Sequence, residues 1–265
     1  MVEGLGRPLT DVAGAGVGVP GPVEHRTGRP VKPPIMPGWD DCDVPAHLGD
    51  AFPAPVFVDN DVNIMALGEH FARWPEVGDL VYIKVSSGIG AGIISDGALR
   101  RGAQGAAGDL GHIAVPRSPD VRCRCGNFGC LEAVASGRAV AAALSDDGSQ
   151  VRSVSEVLDR VRAGDMEAAQ EVREAGRSIG SVLAGSVNLL NPEVIVIGGS
   201  VAEAGEHLLA GVREVVYSRS LPLATQHLRI VGSQDAARAG VIGASRMVVQ
   251  HVLSAPAVDA MLAGA

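Results

Sequence analysis

The apolar run at residues 193–200 constrains the fold more than any other part of this sequence. It reads EVIVIGGS, and it follows a stretch with helical periodicity that extends from Asp165 to Leu190 and stops at Asn191-Pro192. Because a strand that is apolar at successive positions has no face for water, we expect it to lie in a sheet covered on both faces. A long helix that leads into such a strand is typical of an α/β protein.

The first part of the chain predicts two strands separated by a long loop. Residues 13–23 read as a strand followed by a Pro-Gly-Pro turn, and the later stretch RPVKPPIMPGWDDCDVP has too many fixed φ angles for a helix. Residues 55–63 begin as a β-branched strand and pass through an acidic turn into a helix. The side chains expected to share one face of that helix are Ile64, Ala66, Leu67 and Phe71.

The remaining elements continue the alternation of strands and helices. Residues 79–99 contain two strand-like runs around a glycine-rich bend and predict an antiparallel hairpin or meander. Ser153 and Glu156 stand at capping-box spacing and predict the start of a helix. A short strand at 228–231 precedes a closing helix, so the whole pattern predicts an α/β fold.

The composition excludes several classes of protein. With 46% apolar and 20% charged residues, the chain as a whole is not disordered, collagenous or a coiled coil, and its 3% of aromatic residues predicts an aliphatic core. The formal net charge of −8 gives no attraction to a phosphate backbone, so we predict that this chain alone does not bind DNA. The sequence has neither an apolar run of membrane-spanning length nor the layout of a secretion signal, which predicts a cytoplasmic protein without membrane association.

Three cysteines and one histidine form the strongest chemical pattern. His112 precedes Cys123, Cys125 and Cys130, which crowd into the segment CRCGNFGC. Zinc prefers four nitrogen or sulfur ligands in a tetrahedron, and one imidazole with three thiolates completes that shell. Because a closed shell leaves no position for water, we predict a structural Zn²⁺ ion. The alternative is three buried thiols and an unrelated histidine, and Cys42, which stands apart, is expected to be a plain thiol.

The triplet Asp59-Asn60-Asp61 lies where a predicted strand turns into a helix. Side chains at such strand ends project into the ligand crevice of an α/β sheet, and a carboxylate there can accept a proton from a substrate. The alternative, equally favoured by the sequence, is that Asp59 or Asp61 caps the helix that follows.

Two glycine-rich bends offer backbone N–H groups that can bind an anion. The first is SSGIGAG, with Ser87, Gly88 and Gly90, and the second is Gly198-Gly199, which follows the apolar strand. Neither bend matches the P-loop or the dinucleotide fingerprint. The alternatives are a tight hairpin at the first bend and an ordinary turn between strand and helix at the second.

Six motifs resemble those of the ROK family in order and approximate spacing: GVGVPGPV, VDNDVN, SSGIGAG, GDLGH, CRCGNFGCLE and VIGGS. This family includes sugar kinases and sugar-responsive transcriptional repressors, and the resemblance is most specific from Gly111 to Glu132. It implies the actin-like ATPase (RNase H-like) fold of sugar kinases, in which two α/β lobes are hinged around a sugar-binding cleft. It further implies a partial N-terminal lobe at 1–75, a C-terminal lobe with the zinc loop at 76–248, and a C-terminal helix at 249–265 that returns to the first lobe.

The resemblance also implies roles for individual residues. Asp61 matches the family's catalytic base, which takes the proton from the sugar hydroxyl that attacks the γ-phosphate of ATP. The residues implied in sugar binding are Asn60, Asp61, Asp109, His112 and Glu132. Those implied in binding phosphate or nucleotide are Ser87, Gly88, Gly90, Gly198 and Gly199. The zinc loop then supports the sugar ligands from behind.

Two departures from the family's pattern decide the functional prediction. The Asp-x-Gly-x-Thr phosphate loop of the kinases does not occur in this sequence, and Asp109 stands where the family has glutamate. The segments DNDVNIMALGE and RRGAQGAAGDLGHI resemble the repressor-type members more than the kinases. We therefore predict the sugar-binding effector domain of a ROK-type transcriptional regulator, N-terminally truncated, with an incomplete first lobe and without its DNA-binding domain. The alternative is an ATP-dependent hexose kinase, glucokinase-like, that requires Mg²⁺ and uses Asp61 as its base.

The same resemblance sets the expected partners. The ligand is a small-molecule sugar, and a homo-oligomer, either a dimer or a tetramer, is expected because members of the family commonly associate. An incomplete first lobe also leaves a sheet edge that a second chain can cover.

Overall fold

The computed structural model describes residues 4, 6–49, 53–145 and 150–263, which group by backbone proximity into two units. The first unit comprises Met1–Pro75, Arg101–Ala107 and Ala237–Ala265. The second unit comprises Glu76–Arg100 and Gly108–Ala236. The lobe boundaries that the sequence suggests stay a prediction.

The elements are numbered along the described part of the chain. The strands are β1 (Ala15–Val19), β2 (Val23–Glu24), β3 (Arg29–Pro30), β4 (Val56–Asn60), β5 (Leu80–Val85), β6 (Ile89–Ser95), β7 (Ala98–Arg100), β8 (Val194–Gly198) and β9 (Arg229–Gly232). The α-helices are α1 (Val44–Gly49), α2 (Asp61–Arg73), α3 (Leu131–Ala135), α4 (Gly137–Ala143), α5 (Val154–Arg162), α6 (Met166–Leu190), α7 (Glu206–Arg219), α8 (Pro222–Thr225), α9 (Ala236–Val252) and α10 (Ala255–Ala263). Short 3-10 helices lie at Leu9–Asp11, Leu110–His112 and Ser200–Ala204.

In the first unit, β1 and β4 form a parallel pair, and β2 and β3 form an antiparallel pair. The register places Gly18 opposite Asp59 and Val19 opposite Asn60, so pairing holds β4 as far as the acidic triplet. A small apolar cluster consists of Val19, Val23, Val44 and Val58. These elements confirm the strands predicted at 13–23 and 55–63 and the helix that follows the second strand.

Helices α2 and α9 pack backbone to backbone at two glycines. A Cβ atom at Gly68 would overlap the carbonyl oxygen of Ala239, and a Cβ atom at Gly243 would overlap that of Ile64. Because a larger residue has no room at either position, the glycines set the distance between the two helices.

The prediction that Phe71 belongs to the apolar face of α2 is wrong. Ile64, Ala66 and Leu67 are buried, whereas Phe71 is 49% exposed. The guanidinium carbon of Arg246 lies 4.7 Å from the centroid of the Phe71 ring, which is a cation–π contact. The ring therefore contacts a cation at the surface instead of joining the core.

The second unit contains a five-stranded sheet in the order β7-β6-β5-β8-β9. Strands β5, β8 and β9 are parallel, and β5, β6 and β7 are antiparallel neighbours, which confirms the meander predicted at 79–99. Every residue of β8 is buried, as its unbroken apolar sequence requires. Ile179 and Leu183 of α6 and Leu208 of α7 join the sheet in one large aliphatic core.

Helix α6 begins and ends where the sequence predicts. The Asp165 side chain accepts two backbone N–H groups of the first turn, and Asn191 ends the helix with a left-handed φ of 46°. At the start of α5, Ser153 accepts the N–H of Glu156, but the Glu156 carboxylate accepts the N–H of Arg152. The predicted capping box is therefore only half formed, because its returning bond falls one residue before the cap.

Asp165 is expected to make the stability of the chain depend on pH. A hydrogen bond from the Arg160 guanidinium, with a second from the N–H of Ala168, holds the pKa of Asp165 below its ordinary value of 3.8. Because this pKa is lowered on folding, the carboxylate stabilises the fold above the pKa of the unfolded chain, and the contribution is lost as the pH falls through the folded-state pKa.

We expect Asp165→Asn, which keeps a helix-capping side chain without the charge, to be slightly less stable than the wild type at neutral pH. The urea midpoints of the two proteins should converge below pH 3.8, where the carboxyl group takes up its proton. Urea denaturation at neutral and acidic pH measures both effects, and a difference that stays constant with pH would contradict this explanation.

No single helix in the described part of the chain is long and apolar enough to cross a membrane. One bent pair, α9 with α10, reaches the length and composition of a span when both helices are counted together. The two helices meet at an angle of 52°.

Candidate functional site

Asp59 is a buried carboxylate at the junction of β4 and α2. Asp59 is 2% exposed. Oδ1 accepts the backbone N–H of Asn60 at 2.7 Å and Nδ2 of Asn63 at 2.9 Å, and Oδ2 accepts Nε of Arg101 at 2.6 Å. Both oxygens are thus engaged by the protein itself, so Asp59 is a structural group and not a candidate base.

Asn60 caps helix α2. Its Oδ1 accepts the N–H groups of Val62 at 2.9 Å and Asn63 at 3.2 Å, and its Nδ2 donates to the carbonyl oxygen of Gly21 at 2.8 Å. The hypothesis that an aspartate of the triplet is the cap is therefore wrong. The amide nitrogen carries two hydrogens, so one N–H of Asn60 can still be donated to a ligand.

Asp61 is the first residue of α2. It is less buried than Asp59, and a general base must reach the proton that it abstracts. Asp61 is therefore the carboxylate of this triplet that is suited to contact a ligand.

Glu132, in the second unit, is a largely buried carboxylate in the first turn of α3. Oε2 accepts the backbone N–H of Ile89 at 3.2 Å, and Oε1 lies 3.4 Å from a guanidinium nitrogen of Arg138. A Cβ atom at Gly88 would stand 2.6 Å from Oε2 of Glu132. The glycine at 88 is thus needed because the carboxylate approaches the bend between β5 and β6.

That bend is closed by the N–H of Ser86, which donates to the carbonyl oxygen of Gly88 at 2.9 Å. The Ser86 and Ser200 hydroxyl oxygens lie 2.9 Å apart, and Ser87 is exposed. Neither Gly88 nor Gly90 has a positive φ, so the approach of Glu132, and not the conformation of the turn, accounts for Gly88. Phosphate binding by Ser87, Gly88 and Gly90 stays a prediction.

Gly198 and Gly199 lie where β8 ends. A Cβ atom at Gly198 would overlap the hydroxyl oxygen of Tyr82, and one at Gly199 would overlap the carbonyl oxygen of Val85. Gly199 also has a φ of 89°, and a short 3-10 helix lies between it and α7. Packing against β5 accounts for both glycines, and nucleotide contact here stays a prediction.

His112, Cys123, Cys125 and Cys130 form a compact cluster of metal-ligating atoms in the second unit. One ligand atom from each residue lies within 4.8 Å of the others. The sulfurs of Cys125 and Cys130 are 3.7 Å apart, and Nδ1 of His112 is 3.8 Å from the Cys123 sulfur. A tetrahedral zinc with Zn–S bonds of about 2.3 Å requires sulfur atoms about 3.8 Å apart. The cluster therefore has the dimensions of a four-coordinate metal site.

The electrostatics of the cluster also favour a cation. Burial, and then the neighbouring Cys125 and Cys123 thiols, raise the pKa of Cys130 to about 12. Burial opposes ionisation of Cys125 as well, but hydrogen bonds from the Asn127 backbone and from the adjacent thiols hold the pKa of Cys125 below its ordinary value. One thiolate can therefore form, and several together need a positive ion to compensate their charge.

His112 turns its two ring nitrogens toward different groups. Nδ1 faces the sulfurs, and Nε2 lies 4.0 Å from Oδ1 of Asp109. A metal-ligating histidine commonly donates its second N–H to a carboxylate or to another acceptor, which fixes its tautomer. His112 is thus oriented to bind a metal through Nδ1 while Nε2 and Asp109 remain on the other side of the ring.

Comparison with known proteins decides the family. A sequence profile of the ROK family matches residues 1–251. The chain belongs to the ROK family. The ROK sugar kinases have the actin-like ATPase fold, and the fold class predicted from the sequence is confirmed.

The ROK relatives include both repressors and kinases. The chain is 35% identical over 259 residues to the xylose repressor of Caldicellulosiruptor bescii, a match that covers 92% of this chain and 64% of that protein. It is 33% identical over 268 residues to a glucokinase of Halalkalibacterium halodurans, covering 94% of this chain and 80% of that protein. The crystal structure of a ROK family glucokinase from Streptomyces griseus, in complex with glucose and AMPPNP, superposes with a TM-score of 0.80 at 30% identity, covering 91% of this chain and 82% of that chain. The chain thus spans less than two thirds of the length of the repressor.

Sequence reasoning missed three residues that hold the carboxylates of this ROK chain. They are Arg101 and Asn63, which bind Asp59, and Arg138, which lies beside Glu132. Arg101 is 42 residues from Asp59 along the chain, a pairing that only the tertiary structure sets. In the sequence Arg101 stands directly after Arg100, so its charge alone does not single it out as the partner of Asp59.

Proposed function

We propose that this chain binds a monosaccharide and is the sugar-sensing effector part of a ROK-type transcriptional regulator. The observation that carries sugar binding is the position of Glu132. Its buried carboxylate is oriented by the N–H of Ile89, and it follows the cluster residue Cys130 by two positions in the chain. In this proposal the cluster that fixes the metal loop therefore also fixes the position of the Glu132 carboxylate.

Sugar recognition in this proposal depends on groups that can share hydroxyl protons. The proposed sugar ligands are Asn60, Asp61, Asp109, His112 and Glu132. A carboxylate or an amide accepts or donates several hydrogen bonds to a polyol. A sugar that lacks one hydroxyl would leave a desolvated polar group unpaired, which gives selectivity.

The metal in this proposal is a structural Zn²⁺ ion. His112 would bind it through Nδ1, and Cys123, Cys125 and Cys130 would supply thiolates. With four protein ligands no position remains for water, so the ion supplies no nucleophile and serves to fold the loop. The His112 ring is then held in place, and its Nε2 N–H can be donated to a sugar hydroxyl or to Asp109.

The regulatory role is supported by similarity to the xylose repressor, at 35% identity over most of this chain. We further propose that the chain forms a homo-oligomer, a dimer or a tetramer, and acts in the cytoplasm. Its net charge of −8 supports the proposal that DNA binding needs a separate domain.

A second candidate function is an ATP-dependent hexose kinase, favoured by the position of Asp61 at the start of α2. In this function Asp61 accepts the proton of the sugar hydroxyl as that oxygen attacks the γ-phosphate. ATP supplies the phosphoryl group, and Mg²⁺ neutralises charge on its phosphates. The proposed phosphate and nucleotide contacts are Ser87, Gly88, Gly90, Gly198 and Gly199.

Calorimetry followed by an ADP-release assay distinguishes the two functions. The purified chain is titrated with pentoses, hexoses and N-acetylated amino sugars, and each sugar that binds is then assayed with Mg-ATP. Sugar binding without ADP release is the result expected for the effector domain. ADP release that disappears in Asp61→Asn, while sugar affinity falls by less than about tenfold because an acceptor oxygen remains, would establish the kinase instead. A metal-loaded protein that binds none of the sugars would refute both.

A further inference from the structure

A buried ion pair that the proposed function does not use joins Asp59 to Arg101. Nε of Arg101 lies 2.6 Å from Oδ2 of Asp59, and the two side chains are 23% and 3% exposed. A charge this deeply buried is costly unless a partner compensates it. In the described residues of the first unit, Arg101 supplies that compensation for Asp59.

The other oxygen of Asp59 fixes the start of α2. It accepts the backbone N–H of Asn60 and the amide Nδ2 of Asn63. Asn63 is 1% exposed, and within the described residues its Oδ1 has no hydrogen-bond partner. The amide is thus turned toward Asp59 although its own oxygen is left unsatisfied, which shows that the carboxylate dictates the local orientation.

The backbone of Arg101 is also fixed, because it belongs to a closed loop. The N–H of Ala107 donates to the carbonyl oxygen of Arg101 at 3.0 Å. Gly105 is buried with a φ of 90°, and a Cβ atom there would overlap the carbonyl oxygen of Val23. Because the backbone of this loop is anchored in the first unit, the guanidinium group is presented to Asp59 from a fixed position.

We infer that Arg101 is a positioning residue for the sugar ligands Asn60 and Asp61. Acting through Asp59, it fixes the backbone at Asn60 and with it the directions in which both side chains leave the junction. This inference rests on the proposed sugar binding and goes beyond it, because Arg101 need not touch the sugar. Hydrogen bonds weaken steeply when their distance and angle depart from the optimum, so we expect loss of the pair to weaken sugar affinity although Arg101 makes no contact with the sugar.

The test compares Arg101→Gln and Arg101→Lys with the wild type. We expect Arg101→Gln to weaken sugar affinity at least about tenfold, because Asp59 loses its compensating charge and its geometry. Arg101→Lys, which keeps the charge but not the planar fork, should recover part of the loss. The matched control is Arg7→Gln, which breaks an exposed pair with Asp11 at 2.7 Å and should leave affinity unchanged.

A double-mutant cycle separates positioning from general damage. Asp61→Ala removes one of the two positioned contacts, so adding Arg101→Gln to it should weaken affinity by clearly less than Arg101→Gln weakens the wild type, because only the Asn60 contact remains to be misplaced. If the two losses in affinity multiply, Arg101 does not act through this junction, and the inference is overturned. Metal content and unfolding midpoint, measured on the same samples, establish that each variant is folded.

Hydrogen exchange tests the inference without a sugar. In Arg101→Gln the amides of residues 60–63 should exchange faster, while those of α7 in the second unit stay unchanged. Unchanged exchange at 60–63 overturns the inference whether or not any sugar binds. Faster exchange there in a protein that binds no monosaccharide supports the positioning role and refutes the proposed function, so the two failures are distinguishable.

Discussion

Cys125→Ser is expected to release the metal and to lower the free energy of unfolding by more than about 3 kcal/mol. The cluster brings four ligand atoms within 4.8 Å of one another, and a serine hydroxyl is a poor substitute for a thiolate. For a domain of this size such a loss corresponds to a fall of roughly 10 °C in the unfolding midpoint. Metal analysis should change from about one ion per chain to almost none.

Cys42→Ser is the matched control for this experiment. Cys42 packs beside the small apolar cluster of the first unit and is not one of the four cluster residues. Its replacement should leave the metal content unchanged and shift the midpoint only slightly. Metal-free wild-type protein that is as stable as the metal-loaded form would refute a structural metal.

Gly68→Ala is expected to destabilise the chain by about 3 kcal/mol, although alanine is the better helix former. The added methyl group would overlap the carbonyl oxygen of Ala239, so helices α2 and α9 would have to move apart. A backbone oxygen cannot yield as a flexible side chain can, and α2 also carries Asp61 at its first residue. Thermal or urea denaturation measures the loss.

Gly185→Ala is the matched control, and we expect it to have the opposite effect on the stability of the chain. Gly185 also lies inside a long helix, α6, but nothing stands within 4 Å of the position that its Cβ would occupy. Alanine should therefore stabilise the protein by about 0.5–1 kcal/mol through helix propensity alone. Equal effects of the two substitutions would show that the close helix contact is not what constrains Gly68.

Much of the fold can be predicted because its determinants are local. The apolar run that became β8, the Asn-Pro that ends α6 and the glycine bend between β5 and β6 each act over a few residues. Phe71 could not be placed in this way. Helical spacing puts it near the apolar face of α2, but its exposure and its contact with Arg246, far along the chain, depend on the tertiary structure.

The candidate site likewise contains some residues whose roles could be predicted from the sequence and others whose roles could not. The four cluster residues could be found from the sequence, since three cysteines crowd into the segment CRCGNFGC and a histidine precedes them. The roles within Asp59-Asn60-Asp61 could not, because three adjacent polar residues at a strand end look alike in sequence. Only the structure shows that Arg101 and Asn63 engage the first, that the second caps the helix and that the third begins it.

The short distance along the chain between Cys130 and Glu132 limits how this protein could be redesigned. The sulfur and the carboxylate share one turn of backbone, and the carboxylate occupies the space that a Cβ atom at position 88 would need. A substitution that alters the proposed sugar contact at position 132 is therefore expected to disturb the neighbouring loop that carries Cys130 as well. At Asp109, the other proposed sugar ligand that is an acid in this unit, the side chain is 46% exposed, so substitutions there are expected to disturb the fold less.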